Sequence, residues 1–435
     1  MVRIMKRKWT EYVKTALIVV LTMSALLLGW RTNLFNAFFE SITFFGSVAD
    51  LVKSASGEEQ GAVSVKEAAR PLCIVITGED GRRYGIRYDA DARNAVYDRT
   101  SIIMGEALGT AADAAEISER EWREALSGPG VYYEYLIPIK RSVLDTWLDA
   151  KMTEQEGDIL LRRMLVTFEE EKNRLYYQDA GSGLYYCADT ASSAGVTQNI
   201  DIYSPNGAQF AFETGFDTAG FAPYYVLIPG SSLNAVSAAA GPMEDSLEST
   251  LIAFRHNKEN YTTSYSGGSG ALICIGTMFD VTVSPDGSVL YRLTEDIQDN
   301  GGGAFSESEL IEKARLIVSG TIEGVSGSAE VFFESVDYIA GGVCAVSFGY
   351  YIAGGRILLK EDVPAARITF RDGTITAAEL RFRKYEKAEE FTGLLPEIQA
   401  MAAAGCEFAL FYSDSGQDVL QPFWLPVPRP HDAPA

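Results

Sequence analysis

The chain has 435 residues, a formal net charge of −22, 47% hydrophobic residues, and 22 each of Tyr and Phe. This length allows two or three domains, and the apolar and aromatic content excludes a chain that is disordered throughout. An acidic balance of this size excludes nucleic acid as a partner and disfavours anionic surfaces, and its plain interpretation is solubility.

Residues 1–32 have the pattern of a cytoplasmic basic start followed by a transmembrane anchor. Five basic residues and one acidic residue occupy the first fourteen positions, so the remainder carries −26, and residues 15–30 contain no charge. From Trp9 to Trp30 a helix would measure about 33 Å, which is enough to cross a bilayer. The basic flank predicts a single-pass protein with a cytoplasmic N-terminus and an extracytoplasmic bulk. A cleaved signal peptide is disfavoured, because large residues surround Gly29 where a small-x-small cleavage site should lie.

Small and polar side chains within this segment predict a face for a partner helix, in addition to contact with membrane lipid. Small residues let helix backbones approach closely, and hydroxyls can bond across the interface. An ordinary apolar span containing the same residues is the alternative and stays open. The predicted face consists of Thr15, Ala16, Thr22, Ser24, Ala25 and Gly29.

Residues 33–70 are predicted to form a juxtamembrane helix and a linker. Apolar and aromatic residues recur at helical spacing over 34–52. Such a helix would pack on lipid headgroups, on a partner helix or on the rest of the chain, and these possibilities stay open. The stretch 54–63 is rich in Ser, Gly and Glu and is typical of a linker.

Residues 71–298 are predicted to form an N-terminal and middle α+β region. A hairpin over 71–89 precedes a helix over 94–108, and the spacing of Ser118 and Glu121 predicts a capping box at a second helix. Strand patterns follow, interrupted by short helical patterns. These elements are a strand over 131–139, a helix over 142–148, strands over 165–168, 174–177, 183–187 and 223–228, a helix over 243–255, and a hairpin over 281–291.

Residues 304–425 are predicted to form a C-terminal α+β domain, after an Asn- and Gly-rich boundary at 299–303 and before a Pro-rich tail at 426–435. Ser306 and Glu309 have capping-box spacing at the start of a helix with one apolar face. Strands are predicted over 329–338, 344–351, 367–370, 374–382 and 407–412, with a last helix near 396–404. The predicted fold class is therefore α+β, with one transmembrane helix followed by mostly antiparallel sheets and flanking helices.

The residue types that carry chemistry do not form a recognisable constellation. The five cysteines lie far apart in apolar runs, which predicts buried free thiols and no disulfide framework, and there are only two histidines. Nucleophile-elbow, phosphate-loop and HExxH patterns are missing from the sequence. We therefore expect no enzyme activity and predict no catalytic, cofactor-binding or metal site. Paired carboxylates of a hydrolase stay an alternative, although among 59 acidic residues such pairs arise by chance.

Several stretches together resemble the YycH family of membrane-attached regulators. The similar stretches are the basic start and anchor, 105–111, 122–126, 129–135, 144–148, 229–260 with the hairpin 281–291, and 306–385. The last of these is similar to the module of YycI and to small PepSY-type units. The resemblance implies a non-catalytic regulator of the WalK/YycG-type sensor histidine kinase that controls cell-wall homeostasis in Gram-positive bacteria, acting with a YycI-like protein. The alternatives are a cell-wall hydrolase and a passive PepSY-type binding or inhibitory module.

Overall fold

A computed structural model describes most of the chain after residue 64. The described ranges are 65–150, 159–168, 173–191, 203–215, 223–230, 233–256, 261–266, 268–294, 305–339, 341–404 and 408–426. They belong to one compact unit, Ala62–Ala435. The predicted anchor, the juxtamembrane helix and the tail beyond Pro426 lie outside the described residues. Within the described ranges, no helix is both long and apolar enough to cross a membrane.

The described residues form an α+β fold of mostly antiparallel sheets, as predicted. The α-helices are α1 (Ala90–Thr110), α2 (Glu119–Ser127), α3 (Arg141–Trp147), α4 (Ala211–Thr214), α5 (Met243–Ala253), α6 (Glu307–Ser319) and α7 (Glu397–Ala404). The strands are β1 (Cys73–Thr77), β2 (Arg83–Ile86), β3 (Ala112–Ile117), β4 (Gly130–Lys140), β5 (Leu160–Phe168), β6 (Asn173–Asp179), β7 (Tyr185–Thr190), β8 (Gln209–Phe210), β9 (Val226–Leu227), β10 (Asn234–Ala240), β11 (Tyr261–Tyr265), β12 (Leu272–Gly276), β13 (Phe279–Val283), β14 (Ser288–Leu293), β15 (Glu330–Ile339), β16 (Val343–Ile352), β17 (Gly355–Leu359), β18 (Ala366–Arg371), β19 (Thr374–Arg381), β20 (Arg383–Phe391), β21 (Phe408–Asp414), β22 (Val419–Leu420) and β23 (Pro422–Pro426).

The first large sheet has seven strands in the order β2-β1-β4-β5-β6-β7-β3. Strand β1 is buried at every position, because the sheet is covered on both faces. Helix α1 packs Val96, Ile103 and Met104 into the core on one side. On the other side, Trp122 of α2 and Phe210 belong to a second buried cluster. A side chain on either face of β1 is therefore removed from water, which explains its unbroken apolar sequence.

The second large sheet has eleven strands, ten of them in the order β11-β12-β13-β14-β19-β18-β16-β17-β21-β23, with β15 paired to β16. Its pairings are antiparallel apart from the parallel pair of β17 and β21. Strand β13 alternates buried and half-buried residues, so one face points to the core. The predicted apolar face of α6 is buried on this core, with Leu310, Ala314 and Val318 almost inaccessible. A three-stranded sheet, β20-β10-β22, and a small pair, β8-β9, complete the fold.

Strand pairing crosses the predicted boundary at 299–303. Val289 of β14 pairs with Leu380 of β19, so the eleven-stranded sheet takes strands from both sides of this boundary. Val236 of β10 likewise pairs with Lys387 of β20. Two sheets of the described residues therefore combine strands from before and after 299–303. The further division of this unit into domains stays a prediction.

Both predicted capping boxes are present. Ser118 N donates to Glu121 Oε2 over 2.8 Å, and Glu121 N donates back to Ser118 Oγ over 3.3 Å. The same distances separate the corresponding atoms of Ser306 and Glu309 at the start of α6. The sequence signal was sufficient here because a capping box satisfies only local backbone donors.

Two local predictions were wrong in extent. The predicted strand over 223–228 is reduced to β9, Val226–Leu227, which pairs only with the two residues of β8. The predicted Pro-rich tail begins one residue too early, because Pro426 belongs to β23 and pairs with Phe408 of β21. Its neighbour Leu425 pairs with Ala409 of the same strand. A proline is tolerated in that strand because β23 lies at a sheet edge.

Candidate functional site

The predicted partner face of Thr15, Ala16, Thr22, Ser24, Ala25 and Gly29 lies outside the described residues and stays a prediction. The described residues contain a different candidate site, which was not predicted. It lies where the edge strand β2 faces the three-stranded sheet, and it consists of a groove and a buried group of charged residues behind one wall.

The groove has a volume of about 360 Å³. Tyr84 and Arg87, from β2 and the turn after it, lie on one wall, and Asn234 of β10 lies on another. Among its lining residues only Arg87, Asp89 and Lys387 carry a charge, and Lys387 is exposed. Asp89 is the N-cap of α1, where its side chain accepts a bond from Ala92 N over 3.1 Å. The groove therefore has a mixed polar and aromatic lining with an exposed cation at its rim.

The edge of β2 beside this groove is partly occupied by one asparagine side chain. Gly85 N donates to Asn206 Oδ1 over 3.0 Å, and Asn206 Nδ2 donates to Gly85 O over 2.7 Å. A neighbouring antiparallel strand would make a similar pair of bonds to a residue of β2. A Cβ on Gly85 would lie 2.5 Å from the Cβ of Ala208, so glycine is required for this close approach. The Asn206 amide thus replaces the peptide group of a further strand.

Behind the groove wall lies a buried group of charged residues, which we call the ionic cluster: Arg87, Glu134, Arg163 and Glu397. Arg87 Nη1 is 3.3 Å from Glu397 Oε1, and its Nη2 is 3.4 Å from Glu134 Oε2. Arg163 Nη2 donates to Glu134 Oε1 over 3.1 Å. The side chains of Arg87, Glu134 and Glu397 are only 6%, 6% and 1% exposed. Such charges persist inside a protein because they neutralise one another.

Two tyrosines complete the surroundings of Glu397. The hydroxyls of Tyr88 and Tyr225 both donate to Glu397 Oε1. The Arg87 guanidinium carbon lies 4.5 Å from the centre of the Tyr225 ring, within cation–π range. Burial raises the pKa of both tyrosines well above the ordinary value, and the charge of Glu397 adds to this effect. Both hydroxyls therefore stay protonated and act as donors.

The electrostatics of the cluster favour fixed charges. Burial opposes the ionisation of Glu134, but Arg163, Arg162 and Arg87 outweigh it and hold the pKa of this carboxyl below its ordinary value. Burial raises the pKa of the adjacent Cys73 thiol to about 12, despite the attraction of Arg87. A thiol with this pKa carries almost no thiolate at neutral pH and is a poor nucleophile. These groups give the groove wall a defined shape.

The two cluster carboxylates do not line the groove. Arg87 and Tyr88 are lining residues, whereas Glu134 and Glu397 lie behind them and are engaged by arginine or tyrosine donors. A glycosidase pair needs both carboxyls beside the substrate, one of them protonated. Within the described ranges, no three or more His, Cys, Asp or Glu side chains are placed to hold a metal ion.

The sequence contains a signal for one residue of this cluster, Glu134, but none for its partners. Glu134 stands inside the Tyr-rich apolar strand predicted over 131–139, and a carboxylate in a buried strand requires a partner. The partners are not readable from the pattern, because Arg87 follows a different strand and Glu397 opens a helix 310 positions further along the chain. Sequence periodicity carries no information about contacts at that separation.

Comparison with known proteins supports a fold assignment. No protein-family model matches the sequence, and no curated protein sequence matches it. The crystal structure of YycH from Bacillus subtilis is similar with a TM-score of 0.54 at 11% sequence identity, and the match covers 84% of this chain and 95% of that one. An uncharacterised protein from Eubacterium rectale matches with a TM-score of 0.30 at 13% identity, covering 45% of this chain and 76% of that one. The predicted resemblance is thus confirmed at the level of structure: the chain has a YycH-like fold.

Proposed function

We propose that this protein is a membrane-anchored, non-catalytic extracytoplasmic regulator of a two-component sensor kinase that controls cell-wall homeostasis. The single observation that carries the proposal is the YycH-like fold, which extends over 84% of this chain and 95% of YycH. The basic start and the uncharged segment 15–30 supply the anchor that such a role requires. The partners are a sensor histidine kinase and a YycI-like protein, and the C-terminal residues 304–425 are the YycI-like part.

The ionic cluster favours a regulatory role over bond cleavage. Its carboxylates are neutralised by arginines and lie behind the groove wall, and the Cys73 thiol is held in its protonated form. Catalytic acids and nucleophiles need a proton or a lone pair that is free to react beside the substrate. The groups here are arranged to hold segments in place.

The proposed route of the signal is the anchor. A regulator without catalytic groups acts by binding, and in lipid the predicted face of small and polar residues offers a contact for a partner helix. Replacing Thr22, Ala25 and Gly29 by leucine would put larger side chains on that face. The control carries Leu17→Ile and Leu27→Ile, which exchange side chains of equal size outside the face. The described part of the chain is identical in both variants.

The test is a transcriptional reporter of the kinase pathway in cells that carry each variant at equal abundance. We expect the leucine variant to change the reporter output and the isoleucine variant to match the wild type. Photo-crosslinking from position 25 should capture the kinase or the YycI-like protein. An unaltered reporter after exchange of the whole anchor for an unrelated membrane helix, together with no captured partner, would refute the proposed route.

A passive binding module of PepSY type is the second candidate, and the groove beside β2 favours it. An extended peptide can add to a sheet edge, with its side chains in flanking pockets. The β2 edge offers such a position only if the Asn206 side chain moves, because it occupies both polar groups of Gly85. A peptide that binds more tightly to Asn206→Ala than to wild type, and that restores protection of the Gly85 amide in this variant, would support this module.

A further inference from the structure

The first described residues form a short 3-10 turn, Val65–Ala69, which is fixed to the core of the described unit. Ala69 is fully buried, and the Tyr97 hydroxyl of α1 donates to Lys66 O over 2.5 Å. Arg70, just after the turn, lies 3.3 Å from Glu67 and 3.9 Å from Glu330. Residues 1–64 precede this turn in the chain.

A small cavity of about 30 Å³ lies beside the turn. Glu67 from the turn, Trp147 from α3 and Arg315 from α6 line it, together with Glu323 and Phe333. A space of this size holds about one water molecule. Glu67 and Glu323 thus line the same partly open cavity, where the Glu67 side chain is 37% exposed. The repulsion between two partly buried carboxylates is screened less than at a fully exposed surface.

The cations around this cavity are already engaged by other carboxylates. Arg315 donates to Glu312 over 2.8 and 2.7 Å, and Trp147 Nε1 donates to the same carboxylate over 3.3 Å. The groups that act on the Glu323 carboxyl are Glu67 and Arg70 of the turn segment and Arg315 and Ser319 of α6. Because Arg70 and Arg315 each lie within 4 Å of another carboxylate, Glu323 shares their attraction with those groups.

This environment changes the ionisation of Glu323. Burial raises the pKa of its carboxyl to about 7, and Glu67 adds to this shift. Arg315 opposes the shift most strongly, followed by Arg70 and a hydrogen bond with Ser319. The carboxyl therefore gains or loses its proton close to neutral pH, while most exposed carboxylates stay ionised.

We propose that Glu323 is a pH-dependent latch for the turn Val65–Ala69. With Glu323 neutral, the turn is docked. With Glu323 ionised, repulsion from Glu67 across the shared cavity loosens the turn. The inference depends only on contacts among described residues, so it holds or fails separately from the proposed kinase partner.

The test is hydrogen–deuterium exchange of the full chain in detergent micelles between pH 5.5 and 8.5, with rates corrected for the intrinsic pH dependence of exchange. Protection of the amides of residues 66–70 should fall by roughly tenfold or more as pH rises, with a midpoint near the pKa of Glu323. In Glu323→Gln the protection should stay at its low-pH level throughout. A flat profile in wild type, or an unchanged transition in Glu323→Gln, would overturn the latch.

Three further variants separate Glu323 from its neighbours. Glu67→Gln should move the midpoint to lower pH, and it decides the question if Glu323→Gln does not fold. Glu379→Gln, at an exposed position of β19, is the matched control and should reproduce the wild-type profile. Asp145→Asn should also leave the midpoint near pH 7. Loss of the pH-dependent transition in this variant would assign the transition to Asp145 and overturn the proposal.

Discussion

Arg87 Nη1 lies 3.3 Å from Glu397 Oε1, and 310 positions of sequence separate these two residues. The contact joins the first hairpin to α7, close to the end of the described chain. Arg87 also faces Glu134 of β4 and the ring of Tyr225, so one guanidinium connects four segments. Removal of its charge would leave Glu397 with tyrosine donors alone and Glu134 with Arg163 as its cation.

Arg87→Met should lower the free energy of unfolding by about 3–5 kcal/mol, because Glu134 and Glu397 would stay buried without this cation. The measurement is equilibrium unfolding in urea followed by tryptophan fluorescence. Arg120→Met is the control, since Arg120 and Glu124 are 83% and 66% exposed in their pair and should contribute less than about 1 kcal/mol. Equal effects of the two changes would contradict the role given to the ionic cluster.

Arg383→Lys should cost about 2 kcal/mol of stability although it keeps the charge. Arg383 Nε and Nη2 each donate to Asp414 over 2.8 Å, and the Tyr385 hydroxyl donates to the same carboxylate over 2.8 Å. Lysine cannot reproduce this forked geometry between β20 and β21. Arg371→Lys, at an exposed position of β18, should leave the urea midpoint unchanged. An Arg383→Lys protein with the wild-type free energy of unfolding would show that the forked contact is not required.

Asn206→Ala should open the edge of β2. Loss of the two bonds to Gly85 should lower stability by about 1–3 kcal/mol and increase exchange of the Gly85 amide. An exposed edge promotes pairing between chains, so sedimentation should detect self-association at high concentration. Asn206→Asp retains the acceptor for Gly85 N and should show a smaller increase in exchange at this amide. If Asn206→Ala leaves the Gly85 amide protected, other groups close the edge.

Asp145→Asn should reduce the loss of stability between pH 4.5 and pH 8 by about 2 kcal/mol. Burial raises the pKa of Asp145 to about 6, although Arg141 lies 3.6 Å away. Because the folded pKa exceeds the unfolded one, the stabilising contribution is complete below about pH 4 and is lost as pH rises through about 6. Asn is neutral throughout this range. Asp98→Asn, exposed on α1, is the control and should leave the pH profile unchanged.

Local elements of the fold could be predicted from sequence because their signals are local. The first helix was expected over 94–108 and spans Ala90–Thr110, and both capping boxes formed between residues three positions apart. The expected burial of free cysteines holds for Cys73, Cys274 and Cys344, while Cys187 is only half-buried. Cys406 lies outside the described residues.

Elements that depend on distant partners could not be predicted in this way. Strand β10 has the sequence Asn-Ala-Val-Ser-Ala-Ala-Ala, which has little intrinsic preference for a strand. It is extended because it pairs with β20 on one side and β22 on the other. The ionic cluster likewise depends on contacts between residues far apart in sequence, such as Arg87 and Glu397. The fold could be anticipated from diffuse resemblance, whereas the candidate site could not.

The central position of β10 has a consequence for the order in which the protein is made. The strands on both of its sides, β20 and β22, are synthesised after it. Both also follow the segment 299–303 in the sequence. A chain that leaves the ribosome or crosses a membrane from its N-terminal end therefore carries β10 without neighbours until residues 383–420 have followed. We expect this interval to be the period in which the nascent protein most needs a chaperone.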